Sequence, residues 1–425
     1  MDRKFHLAQA GLWIVTLLSC IAIGLGLMVA VACFPQGPIK QHLYKAAQYG
    51  DTRASSSITT IYDKIHYTES LMLMLAGTMD DERPLESALE SKTYTLTRFM
   101  QYPIRDFKEM ALHGSDSMKE ADYNRYWHGY LVTLRPLLFF CDLPTIRWIT
   151  VLAFSILATI FLVMLKKQNG WWIAALFFLA LLHAGWFKFL MFSLDQNKVY
   201  FIIFISSIIL MKHRSLYLSP RFLPLFFIII GASTSFVDFL TAPVLTLGVP
   251  LLIVFLRRGS LPVKEQILTL LTCSFAWCFG YVGMWASKWV LCSMFTDCSV
   301  YDVVKGSIKE RSIGTVAIDF RLLCTRFLYP IPDVGGIWWA SVAGTLVLGL
   351  TCHIGYLYMK YRTVFMHNLC YFILMLYPAL WFIGTKQHTI IHLVFTYRIM
   401  ELFIIGYGIF ALNTYREIRR ASAKC

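Results

Sequence analysis

The stretch Gly11 to Cys33, GLWIVTLLSCIAIGLGLMVAVAC, contains 23 residues and not one charge. As a helix rising about 1.5 Å per residue it reaches about 34 Å, enough to cross a hydrocarbon core about 30 Å thick. It is too long for the apolar segment of a secretory leader and no small-residue cleavage site follows it, so it reads as a retained anchor. The rest of the chain agrees. Of 425 residues, 57% are hydrophobic and 15% charged, and the mean hydropathy is +0.58. A soluble chain of this length needs more charge to cover its surface. The 12 Trp and 22 Tyr suit a protein with two membrane–water interfaces to anchor. The net charge of +14 is dispersed in small clusters between apolar runs. That distribution sets topology and argues against a nucleic-acid partner.

Outward from the first run, the chain divides into four parts. Residues 1–33 form a short cytoplasmic N-terminus and the first transmembrane helix. Residues 34–145 are polar enough to form a large extracytoplasmic loop. Residues 146–412 hold nine further apolar runs, a transmembrane helix bundle. Residues 413–425 are a basic cytoplasmic tail. The predicted fold is therefore an all-α membrane protein of about ten transmembrane helices. In the long loop, Leu71, Met72, Leu75, Met79 and Leu85, Ala88, Leu89 repeat at helical spacing. They predict amphipathic helices lying on the outer membrane surface. Orientation comes from the loops between runs. With the N-terminus inside, the inner loops carry Lys166-Lys167, Lys212 with Arg214, Arg257-Arg258, Lys360 with Arg362, and the tail's Arg416, Arg419 and Arg420. The outer turns carry Asp195, Asp238 and the segment 384–392 instead. Basic loops face the cytoplasm, so both termini are placed there, in a multi-pass protein of the plasma membrane.

Chemistry is sought where polar groups meet the outer ends of the apolar runs, because burying them in lipid is costly. In the long loop, Asp51, Asp63 and Glu69 are the acids of interest. A carboxylate there suits a general base or a ligand of a divalent cation, while a solvated helix face is the plainer alternative. The segment Tyr126-Trp127-His128-Gly129-Tyr130 reads as part of an interfacial aromatic belt, with His128 lining a polar pocket. Arg135 enters an apolar run and needs an anion; a phosphate suits its planar fork, and snorkelling to headgroups is the alternative. Lys386, His388, His392 and Arg398 form a third group. His388 and His392 share a helix face at i, i+4. The Glu of H-E-x-x-H is missing, so an anionic headgroup fits the pair better than zinc, and no metal site is assigned. Asp195 and Asp238 add acids at the same face. Cys292 and Cys298 fall in a predicted outer loop where a disulfide is open.

The order of these parts resembles the GT-C class of membrane glycosyltransferases, in which a first span is followed by a large outer loop and a bundle of further spans. More closely, the chain resembles a bacterial family of multi-span membrane proteins of unassigned function. That likeness is carried by Tyr-x-x-Glu69-Ser-Leu-Met-Leu, Tyr126-Trp-His-Gly-Tyr130 with Arg135-Pro136, Asp238-Phe-Leu-Thr-x-Pro243, and His388-x-x-x-His392-x-x-Phe-Thr-Tyr-Arg398. The GT-C resemblance implies a polyprenyl-phosphate sugar as donor, a glycan, lipid or protein of the cell envelope as acceptor, and membrane lipids around the bundle. It implies an acid of the first loop as catalytic base. Residues 34–50 contain none, so Asp51, Asp63 and Glu69 are the candidates, Asp63 and Glu69 flanking the segment that carries the likeness. Arg135, Lys386, His388, His392 and Arg398 would hold the donor phosphate. Two other classes remain beside it: a lipid or glycolipid flippase, and a non-catalytic envelope scaffold.

Overall fold

The computed structural model describes residues 3–49, 61–98, 101–190, 193–297, 305, 337–385, 388–389 and 392–423. The first run forms α1, Arg3–Ala32, and is followed by α2 (Gln36–Tyr49), α3 (Ile61–Thr78), α4 (Pro84–Glu90) and α5 (Pro103–His113). Two short strands, β1 (Lys92–Thr95) and β2 (Lys119–Asp122), pair antiparallel with Lys92 opposite Asp122. Then come α6 (Leu131–Phe140), α7 (Leu143–Asn169), α8 (Trp171–His183), a π-type turn at Trp186–Leu190, and α9 (Lys198–Lys212). The short α10 (Arg214–Leu218) leads to α11 (Phe222–Val237), α12 (Val244–Arg258) and the long α13 (Val263–Phe295). After α14 (Ile337–Lys360) the helices shorten: α15 (Arg362–His367), α16 (Leu369–Met375), α17 (Tyr377–Gly384) and α18 (Leu393–Thr396). A 3-10 turn at Tyr397–Met400 then opens α19 (Glu401–Ser422).

Among the described residues, three helices are long and apolar enough to cross a membrane: Ala8–Ala32, Leu143–Asn169 and Val263–Phe295. This is fewer than the ten crossings expected, because several apolar runs are short or broken. The run that starts at Trp171 stops at His183, where Gly185 takes φ +79 and a π-type turn follows. The run from 364 to 383 is interrupted at Asn368 and Leu376. In α7, Val151, Phe154, Ala158, Phe161 and Leu165 face inward. Its opposite stripe of Trp148, Leu152, Ile156, Ile160 and Val163 is 41–66% exposed. A helix apolar on both faces, with one face unburied, is compatible with lipid on the outside.

The centre of the bundle is α12, buried at every position from Val244 to Phe255. Around it stand α9, α11, α13, α16 and α19. The tightest seam joins α11 to α13, where Gly231 and Gly280 lie against the facing backbone. A Cβ on either would fall 2.1 Å from a carbonyl oxygen, of Trp277 and Ile228 respectively. Small residues admit such an approach between apolar helices.

The long loop is a packed subdomain. Glu69 to Gly77 of α3 are buried without a break, against α2, α5, α6 and β1. Leu71, Met72, Leu75 and Met79 thus belong to a core that α3 enters on all sides, which corrects the expectation of helices lying on a membrane surface. The aromatic segment is corrected likewise. Trp127 and Tyr130 are 0% and 2% exposed, and the segment joins loop to bundle. Trp127 Nε1 donates to Met284 O at 2.6 Å, and Gly129 N donates to Phe236 O at 2.8 Å. Indole and phenol rings suit a polar seam inside the protein as well as an interface, because each has an apolar body and one donor.

Candidate functional site

Where the loop subdomain meets the bundle, the turn Ser193–Asn197 between the π-type turn and α9 is buried at every residue. Glu69 of α3 holds this turn. Its Oε1 accepts from Leu194 N at 3.1 Å and its Oε2 accepts from Arg147 of α7 at 2.5 Å. Within the turn, the Ser193 hydroxyl donates to Asp195 Oδ1 and accepts from Gln196 N. On the far side, Arg398 donates from Nη1 to Gln196 O at 2.9 Å and from Nε to Phe395 O at 3.1 Å. One short turn is therefore gripped from α3 and from the 3-10 turn that precedes α19.

Three buried carboxylates and two cations gather here. Asp195 and Asp238 both lie in the electrostatic reach of Lys198 and Arg398, and Glu69 acts on Asp195 and Lys198. Burial raises the Asp195 carboxyl above the ordinary aspartate value, against the pull of the Ser193 hydroxyl and the Lys198 and Arg398 charges. Asp238, just past the end of α11, is pushed up to about 6 by burial, against its bonds to Thr241. Thr241 N donates to both of its oxygens, at 3.2 and 3.0 Å, and the Thr241 hydroxyl donates to Oδ1 at 2.6 Å. The same turn places Leu240 at φ +63, a conformation rare for a bulky side chain, and its carbonyl accepts from His388 Nε2 at 3.0 Å. The His388 and His392 rings lie 4.6 Å apart.

Lys198 opens α9. Its ammonium lies 4.0 Å from the Tyr130 ring centre, 5.6 Å from that of Phe239, and 3.5 Å from Met72 Sδ. No carboxylate among the described residues is within ion-pair distance of it. Aromatic faces and a thioether are weak partners for a cation compared with an anionic oxygen. Several polar atoms nearby are sealed from solvent without a hydrogen-bond partner among the described residues: Asp195 Oδ2, Gln196 Nε2, Asn197 Nδ2 and Arg398 Nη2. Buried polar groups are nearly always paired, so four on one turn and its clamp mark a place built for a polar ligand.

Lys198 and Asn197 line a groove of about 410 Å³ between α6, α7 and α9. The rest of its wall is almost wholly apolar, with Leu134, Leu137, Ile146, Phe201 and Ile202 among the lining side chains. Ile149 and Ile205 on its rim are 40% and 47% exposed. The rim lies on the outward stripe of α7, so the groove opens sideways where that helix is unburied. An amphiphile with a long apolar chain and an anionic head matches an apolar wall that carries one cation.

The structure thus brings Glu69, Asp195, Asp238, His388 and Arg398 to one region. It places Arg135 elsewhere, which corrects its assignment to donor phosphate. The Arg135 guanidinium, 0% exposed, donates to Val31 O at 2.9 Å, Phe34 O at 2.8 Å, Ala76 O at 2.6 Å and Met79 O at 3.3 Å. These carbonyls end α1 and α3, where a cation and donors are favoured. His128 is a structural group as well. Its Nε2 donates to Tyr123 O at 2.7 Å and its Nδ1 accepts from the Tyr130 hydroxyl at 3.3 Å. Burial holds its pKa down at about 3, so it is neutral and no acid. Asp51, Lys386 and Cys298 lie outside the described residues, as does the side chain of Asp63, whose backbone falls in α3. Cys292 is buried and its thiol donates to Leu89 O at 3.0 Å. No group of three His, Cys, Asp or Glu among the described residues could hold a metal.

Two participants escaped the sequence reading. Arg147 is a lone cation near the start of the α7 run, and Glu401 is a lone acid in the last apolar run. Glu401 is 3% exposed, and its Oε1 accepts from the Tyr200 hydroxyl. An ionisable residue inside an apolar run was the available signal for both. No family model matches the chain, and no curated protein or solved structure is found to match it.

Proposed function

We propose that the chain is a multi-pass plasma-membrane glycosyltransferase with both termini in the cytoplasm. It takes a sugar from polyprenyl phosphate at the extracytoplasmic face and passes it to a glycan, lipid or protein of the envelope. The observation that carries this reading is the apolar, sideways-opening groove with Lys198 in its wall, beside the buried Glu69, Asp195 and Asp238. The groove takes the isoprenoid chain. The phosphate meets Lys198 and Arg398, with His388 and His392 on the same side of the bundle. Charge grows on that phosphate as the bond from the sugar's anomeric carbon breaks, and cations held in a poorly hydrated site stabilise it more than water would. A carboxylate of the cluster takes the proton of the acceptor hydroxyl. Glu69 contributes by fixing the turn that carries Asp195, through Leu194 N and Arg147.

The test is made with purified protein in lipid nanodiscs, a panel of radiolabelled polyprenyl-phosphate sugars, and an extract of envelope lipids and glycans as acceptors. Label is expected to leave the polyprenyl phosphate and appear on an acceptor. If the protein transfers no label and instead carries fluorescent lipid phosphate across liposomes intact, it is a flippase and the enzymatic reading is overturned. The clustering of charge beside the loop subdomain, rather than along the length of the bundle, favours chemistry over transport.

A further inference from the structure

The buried carboxylates differ in what their oxygens already do. Glu69 has Leu194 N on one oxygen and Arg147 on the other. Asp238 has both oxygens on Thr241. Glu401 receives the Tyr200 phenol on Oε1. Among the described residues, Asp195 has the one carboxylate oxygen sealed from solvent without a partner: Oδ1 takes the Ser193 hydroxyl, while Oδ2 takes nothing. The carboxylate cannot swing freely, because Ser193 Oγ also receives Gln196 N and the preceding Leu194 N is tied to Glu69. It is a fixed acceptor with one unused oxygen, on the turn whose Leu194 and Asn197 line the groove.

We propose that Asp195 is the general base of the transfer, its Oδ2 taking the proton of the acceptor hydroxyl. This rests on the glycosyltransferase reading above. As the proton passes to Oδ2, the hydroxyl oxygen uses the freed pair to form its bond to the anomeric carbon. The bond from that carbon to the phosphate oxygen breaks with its electrons, which remain on the lipid phosphate. The base and the cations that receive this charge belong to one structural unit. Lys198 follows Asp195 by three residues, and Arg398 is bonded to Gln196 O. Arg398 Nη2, Asn197 Nδ2 and Gln196 Nε2 are donors without partners on the same unit, suited to phosphate and sugar oxygens. Burial raises the proton affinity of Asp195 most and the Ser193 hydroxyl lowers it; of the charged groups around it, Lys198 of α9 and Arg398 before α19 lower it and Glu69 of α3 raises it. An aspartate raised this way is a stronger base than one in water.

The experiment compares wild type, Asp195→Asn and Asp195→Glu in nanodiscs, measuring transfer rate against pH and, separately, binding of the radiolabelled polyprenyl-phosphate sugar that the wild type uses. Asp195→Asn is expected to lose about 100-fold or more in rate with donor binding within about twofold of wild type. Asp195→Glu is expected to keep measurable transfer with the acidic limb of its pH–rate profile displaced. Transfer by Asp195→Asn within about tenfold of wild type overturns the assignment while leaving the glycosyltransferase reading intact. Loss of binding in parallel with rate makes Asp195 a structural residue, and so does an undisplaced acidic limb in Asp195→Glu, which keeps the test decisive if the Asn variant does not fold. Absence of transfer by the wild type overturns both readings together.

Discussion

His128 and Arg135 show how one residue type supports two readings until its neighbours are known. Both stand at the edge of apolar sequence, where a polar side chain invites a functional role. In the structure His128 is 1% exposed and fastens the loop subdomain through Tyr123 O and the Tyr130 hydroxyl. Its folded pKa of about 3 lies below its ordinary value of 6.5. The unfolded chain therefore binds a proton below 6.5 that the folded chain refuses until about 3, and stability falls as pH drops through that window. The contribution amounts to about 2 kcal/mol by about pH 5. The fall in Tm between about pH 7 and about pH 5 is accordingly expected to be smaller in His128→Gln than in wild type. The same fall in both would remove His128 as a source of acid sensitivity. Arg135 was legible as a cation needing partners. That those partners are the carbonyls ending α1 and α3 was not, because they lie about 100 and 60 positions away in the chain. Asp195 and Asp238 were legible as acids at the outer turns, but which oxygen of each is idle is a matter of three-dimensional hydrogen bonding.

Among the elements, α1, α7 and α13 were readable from uninterrupted apolar length, and among the described residues they are the helices long and apolar enough to span. Elsewhere two environments ask for the same pattern. Leu71 to Met79 repeat as an amphipathic surface helix would, yet Glu69 to Gly77 of α3 are buried, and α3 packs against α2, α5, α6 and β1. Tyr126 to Tyr130 have the composition of an interfacial belt, and the structure uses them as a buried seam. Periodicity reports which side chains avoid water and is silent on whether lipid or protein covers them. The α11–α13 seam gives a direct check on the packing. Gly280→Leu places a branched side chain where even a Cβ would meet Ile228 O at 2.1 Å. It is expected to lower stability by about 3 kcal/mol or more, read as a drop in Tm in detergent. Gly26→Ala is the control: its Cβ meets nothing within 4 Å, and alanine favours a helix over glycine by about 1 kcal/mol. Equal tolerance of the two substitutions would contradict the close approach.

Taken together, the chain is a helical bundle capped by a packed subdomain, and the proposed site needs both. Glu69 and Tyr130 come from the subdomain side, Arg147, Lys198 and Arg398 from the bundle. The first loop read from sequence as a set of membrane-surface helices is instead the wall that fixes the turn 193–197. This division explains why the region was partly legible. Acids and cations near the outer ends of apolar runs are visible one at a time, but the groove exists only once α6, α7 and α9 are side by side.

On the reading above, this groove and Lys198 hold a lipid phosphate as one site. A benzophenone amino acid at Ile205, on the groove rim, is photo-crosslinked in nanodiscs with radiolabelled polyprenyl phosphate. A covalent adduct is expected that excess unlabelled polyprenyl phosphate abolishes, that excess phosphatidylglycerol leaves, and that Lys198→Gln reduces at least about tenfold, as loss of a charge-assisted contact would. An adduct equally well displaced by phosphatidylglycerol, or one that Lys198→Gln leaves unchanged, would show that the two do not form one site.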